Sequence, residues 1–184
     1  MGYVLLILGI ALFAGAHLFK RVAPDARARL GENAGKGLVA VLLVVSVVLM
    51  AQGYGRAEYV PLWQLPFWVE HIVALLMLLA AYLFFVTYTK GTITARMRHP
   101  QLTAVKLWAT LHLLVNGSLA GVILFGGLLA WAVVEVIAIN RSQPWDRPTD
   151  VSVRGDLIAA AVGLVGYGIA TWLHVVQGVW PFGA

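Results

Sequence analysis

The sequence predicts an all-α polytopic membrane bundle of about six transmembrane helices, with both chain termini outside the cytoplasm. Three observations carry that expectation. Of the 184 residues, 61% are hydrophobic and only 11% are charged, a balance far from that of a soluble domain of this size. Apolar runs recur that are long enough, at about 20 residues, to cross the hydrocarbon of a bilayer. Twelve of the thirteen Lys and Arg residues fall in three of the connections between those runs, and the positive-inside rule places those three connections in the cytoplasm.

The first run covers 2–20. No cation precedes it, and Lys20 and Arg21 follow it, so it reads as a retained helix although Ala14-Gly15-Ala16 has the look of a cleavage site. The connection from Lys20 to Lys36 mixes Pro24, Gly31 and Gly35 with charges and is expected to be a surface loop or a short interfacial helix. A second run covers 37–55. The connection from Arg56 to Pro66 carries Tyr59 and Trp63, rings that suit the headgroup layer. Run 67–89 is the third, and Lys90, Arg96, Arg98 and Lys106 follow it. Runs 103–117 and 118–140 are separated only by Asn116-Gly117-Ser118, read most simply as a tight outer hairpin. Arg141 to Asp156, with Pro144, Trp145 and Pro148, reads as an irregular loop. The last run covers 157–180. The chain is thus expected to be one transmembrane domain, 1–184, in which Gly121, Gly126, Gly127, Gly163, Gly166 and Gly168 let helices approach closely.

Several function classes are excluded at this level. The formal charge of +5 reflects orientation and contact with the lipid bilayer's anionic headgroups, and no nucleic-acid motif accompanies it. With no Cys, disulfide and thiolate chemistry are absent. A closed zinc site lacks its usual ligands, since there is no metal-spaced His pair.

What remains is histidine. An imidazole inside hydrocarbon is costly unless paired, hydrogen-bonded or metal-bound, and His17, His71, His112 and His174 fall within expected spans. Two histidines from different helices can hold a b-type haem, which needs an apolar slot and axial nitrogens. His17 lies three residues before Lys20, close beneath the cytoplasmic face, and His112 lies deeper. His71 and His174 form an alternative pair toward the opposite face. A bland reading stands beside these, in which each ring bonds a backbone carbonyl and only packs.

The segment around His112 is the most unusual in the chain. Arg98-His99-Pro100-Gln101 opens it, and Trp108, His112 and Asn116 follow at four-residue spacing, which sets them on one helix face. Pro100 suits a first helical turn. Arg98 and His99 could hold an anionic group such as a propionate, a phosphate or a lipid headgroup, or serve only as a positive anchor and helix start. Glu70, beside His71, complements a helix dipole. Glu135 is a carboxylate well inside a span, expected to snorkel outward or to pair with Lys106 or His17, with a proton-relay role open to it.

The first helix ending in His17, the Arg98-His99-Pro100-Gln101 motif, and the series Trp108, His112, Asn116-Gly117 together resemble the NnrU family of bacterial integral membrane proteins. The resemblance runs from Gly2 to about Arg141. It implies a multi-pass protein of the cell inner membrane, associated with nitrite and nitric oxide reduction in denitrification and with nitrite or nitric oxide reductase machinery as a partner. That family is also similar to the plant zeta-carotene isomerase, a membrane haem b enzyme. Carried over by position, the haem ligands that this implies are His17 and His112; Arg98, His99, Trp108 and Asn116 are the further candidate cofactor-binding residues. One departure bears on turnover: Ala109 stands where the plant enzyme has a Cys, so a ligand switch through that thiolate cannot operate.

The resulting expectation is a b-haem-binding redox or accessory protein. A zeta-carotene-isomerase-like haem enzyme, a cofactor-free membrane assembly factor and a membrane methyltransferase stand as alternatives. The last rests on an echo of the Arg-His-Pro motif, and the apolar final run departs from it.

Overall fold

A computed structural model describes residues 1–182. Its regular structure is helical: α1 Gly2–Val22, α2 Pro24–Arg29, α3 Glu32–Arg56, α4 Trp68–Phe85, α5 Pro100–Val115, α6 Leu119–Ser142 and α7 Val153–Val176. A 3₁₀ turn occupies Thr92–Ala95, and a π-type segment, Val122–Gly126, interrupts the regular winding of α6. Five of these helices, α1, α3, α4, α6 and α7, are long and apolar enough to cross a membrane. The chain is therefore a multi-pass membrane protein.

The expected span 103–117 is the one that comes out differently. Its helix, α5, has 16 residues, about 24 Å at 1.5 Å per residue, which is shorter than the roughly 30 Å of hydrocarbon. Pro100 fixes its start and Asn116 leaves helical geometry at its end. The Lys20–Lys36 connection contains the short helix α2, opened by Pro24 at its first position. The last span begins four residues earlier than expected, at Val153, because Ser152 caps it: the Gly155 amide donates to the Ser152 hydroxyl oxygen at 3.1 Å.

The chain forms two compact units, one from Met1–Trp63 and Gly117–Ser142, the other from Gln64–Asn116 and the chain from Gln143 on. In the first, α1 and α3 make an antiparallel pair. A Cβ on Gly9 would meet the Met50 and Ser46 backbones at 2.8 and 2.9 Å, and one on Gly53 would meet the Leu6 Cα at 2.7 Å. Small residues thus set the interhelical distance, as close packing in lipid demands when there is no hydrophobic drive between helices. Leu6 is fully buried at that seam. The loop before α4 straps the start of α6: Leu62 and Trp63 amides donate to the Gly117 carbonyl, and the Leu119 amide donates to Val60.

In the second unit α4 packs against both α5 and α7. The link after α4 is stitched to the first turn of α7. Asp156 accepts from the Tyr82 hydroxyl at 2.8 Å, the Thr92 hydroxyl at 2.6 Å and the Thr92 amide at 3.0 Å, while the Ser152 amide donates to the Lys90 carbonyl. Lys90 itself adopts a positive φ of 56° and pairs with Asp150. Many apolar side chains remain open to the surroundings, including Val41, Val44 and Val48 on α3 and Leu164 and Val165 on α7, the pattern expected where lipid is the solvent.

Candidate functional site

Candidate functional side chains stand together at a place in each unit. In the first, α1 supplies His17 and Arg21, one turn apart, and α6 supplies Trp131 and Glu135, also one turn apart. Each pair therefore lies on one face of its helix. The His17 ring stands 4.3 Å from that of Phe13 and 4.5 Å from that of Trp131 between centroids. Arg21 donates to Glu135 Oε1 at 2.5 Å, and the side chain of Glu135 is only 7% exposed against 25% for Arg21. Glu135 was expected to snorkel or to pair with Lys106 or His17. Its partner is Arg21, one turn beyond His17.

This cluster is not saturated. Among the described residues, neither Glu135 Oε2 nor the Trp131 indole N–H, both buried, has a hydrogen-bond partner. A buried donor and a buried acceptor left open are rare and each costs free energy.

In the second unit that place belongs to α5 and α7. The rings of His112 and His174 lie 6.3 Å apart, tilted by 39°. Trp108 flanks His112 at 4.8 Å, and the Asn116 amide donates to the His112 carbonyl at 2.8 Å. The Trp108, His112, Asn116 stripe predicted from spacing is therefore present on one helix face. Arg98 donates to the Gln143 carbonyl at 2.6 Å, and His99 stands at the N-cap of α5 before Pro100. His71 is exposed and meets Phe67 edge-on at 6.0 Å.

Three histidines share one arrangement. Nδ1 of His17, His112 and His174 lies 2.9, 3.0 and 2.7 Å from the carbonyl oxygen four residues earlier. A carbonyl only accepts, so Nδ1 carries the proton in each ring, and the lone pair of the neutral imidazole resides on Nε2. That is the tautomer a metal ligand needs, with the second ring nitrogen already oriented by a backbone oxygen. Among the described residues no group of three or more His, Asp or Glu side chains converges to hold a metal ion.

Of the residues named from sequence, the structure places His17 in the first unit and His112, Arg98, His99, Trp108 and Asn116 in the second. It brings His112 to His174, a pairing not singled out in the sequence. Arg21 and Trp131 were missed. The available signal was spacing: Arg21 follows His17, and Glu135 follows Trp131, by the same four residues.

The class this defines is a multi-pass α-helical membrane protein that carries oriented imidazoles and a buried ion pair on its helices. Within that class the chain belongs to the NnrU family, described as NnrU protein, whose family model matches residues 5–181. No curated protein and no solved structure matches it.

Proposed function

We propose that the protein holds a b-type haem in the cell inner membrane and acts as a redox or accessory component associated with nitrite and nitric oxide reduction. The observation that supports this best is the His112 and His174 pair. Two imidazoles from different helices are the donor set a b-type haem would need, and His112 and His174 would be the residues to hold it. Their ring centroids lie 6.3 Å apart, and each ring turns Nδ1 to its own backbone, which leaves Nε2 as the nitrogen for a metal. When bound, the haem would supply one-electron transfer.

The chain's own contributions follow from its contacts. The carbonyls of Trp108 and Ala170 hold the Nδ1 protons and so fix both ring planes. Trp108 covers one side of His112. Ala109, fully buried, supplies no thiolate, so any ligand exchange would have to use nitrogen or oxygen donors. His17, with the same tautomer, is the ligand the family resemblance would pair with His112.

An absorption spectrum of the full-length protein, purified from haem-replete cells, tests the reading. A Soret band that is lost in His112→Ala and in His174→Ala, and retained in His17→Ala, is the expected result. Loss in His17→Ala with retention in His174→Ala would replace the ligand pair by His17 and His112. A colourless wild-type protein with stoichiometric haem added back and none retained would refute haem binding.

A further inference from the structure

We propose that Lys20, Arg27 and Lys36 form a binding site for the phosphate of an anionic phospholipid headgroup. A groove of ≈ 420 Å³ opens where the end of α1, the short helix α2 and the start of α3 meet, and these three cations line it together with Glu32, Pro24 and Ala28. That volume falls within the range of ligand pockets, roughly 300–1,000 Å³. Three cations face one carboxylate, so the groove is left electropositive and matches a phosphate with net negative charge rather than one neutralised by a choline cation.

The site is held in place by the backbone. Arg27 donates through Nη1 to the Gly31 carbonyl at 3.0 Å and through Nη2 to the Glu32 carbonyl at 3.4 Å. Its guanidinium lies directly over Gly35, in space that any Cβ there would occupy. Two of about five guanidinium N–H donors are used, and the remainder are presented by a side chain that no longer has to be ordered. Lys36 is held to Glu32 Oε1 at 2.6 Å and keeps further N–H donors, while Lys20 makes no hydrogen bond or ion pair among the described residues. Because the guanidinium is already fixed, an incoming phosphate meets a lower entropic cost than at a mobile surface cluster.

Position favours a lipid over a free phosphate as the source. The 25 residues of α3 span about 37 Å, more than the roughly 30 Å of hydrocarbon, so the first turns of α3 reach the headgroup layer. Further along α3 the exposed Val41, Val44 and Val48 belong to the acyl-chain region. Each cation near an anionic membrane surface contributes about fivefold in affinity.

The test is lipid retention by the detergent-purified full-length protein, measured by native mass spectrometry after exposure to equimolar phosphatidylglycerol and phosphatidylcholine. The wild type is expected to retain phosphatidylglycerol selectively, and Lys20→Gln/Arg27→Gln to lose about 25-fold of that affinity, with far-UV circular dichroism unchanged. Gly35→Val, which displaces the guanidinium and leaves every charge in place, is expected to weaken retention as well. A parallel titration with inorganic phosphate distinguishes the sources. Weak competition supports the lipid, and displacement at sub-millimolar phosphate overturns it in favour of a soluble phosphate. Equal retention of both lipids, or selectivity unaltered in both variants, overturns the site itself.

Discussion

Removing one member of the Arg21–Glu135 pair should destabilise the protein unequally, depending on which member goes. At 2.5 Å and an effective dielectric near 20, two unit charges attract by about 7 kcal/mol, and the desolvation of each ion offsets several kcal/mol of that. The two partners differ in burial: the Glu135 side chain is 7% exposed and that of Arg21 is 25% exposed. In Glu135→Leu the stranded guanidinium can extend toward water along its aliphatic stem, so the loss should be about 2 kcal/mol. In Arg21→Leu the carboxylate stays where it is, with neither oxygen partnered, and the loss should reach about 3–5 kcal/mol. The double variant Arg21→Leu/Glu135→Leu should return to within about 1 kcal/mol of wild type, since apolar residues replace a buried pair at little cost. Reversible unfolding in mixed micelles, followed by circular dichroism as denaturing detergent is titrated, measures all three. Equal losses in the single variants, or a double variant as unstable as their sum, would refute the claim that the pair is a coupled buried unit.

Two further predictions concern packing and capping. Gly9→Leu, placed where a Cβ would already meet the Met50 and Ser46 backbones, should force α1 off α3 and cost about 1–3 kcal/mol, while Gly15→Ala, with open space around it, should be neutral or stabilising by up to about 1 kcal/mol; the same unfolding titration separates them. Ser152→Ala should remove the cap of α7 and cost about 1 kcal/mol, read most directly as faster hydrogen exchange at the Gly155 amide.

The helices were legible wherever a long apolar run met a charge at its end. Lys20-Arg21 closes α1 and Arg56 closes α3 close to where those residues stand in the sequence. The boundary at Ser152 was not, because a cap hydrogen bond rather than hydropathy sets it; the shortness of α5 was already visible in the run 103–117. The stripe Trp108, His112, Asn116 was readable from its four-residue period, which the helix converts directly into a face. The partner of Glu135 was not, since proximity along the chain says nothing of which cation on another helix lies opposite.

Composition and charge placement by themselves determined that this chain crosses a membrane several times and that imidazoles sit in its spans, because a long unbroken apolar run satisfies its backbone in lipid as a helix and each polar side chain there stands out. The motif series around His112 determined the family. Only the tertiary structure decided that Arg21 meets Glu135, that His174 meets His112, and that each ring gives its Nδ1 proton to its own helix. The reason is geometric: helix periodicity fixes which face a residue occupies, whereas the crossing and axial register of two helices are fixed by close contacts such as those at Gly9 and Gly53, which no local pattern encodes.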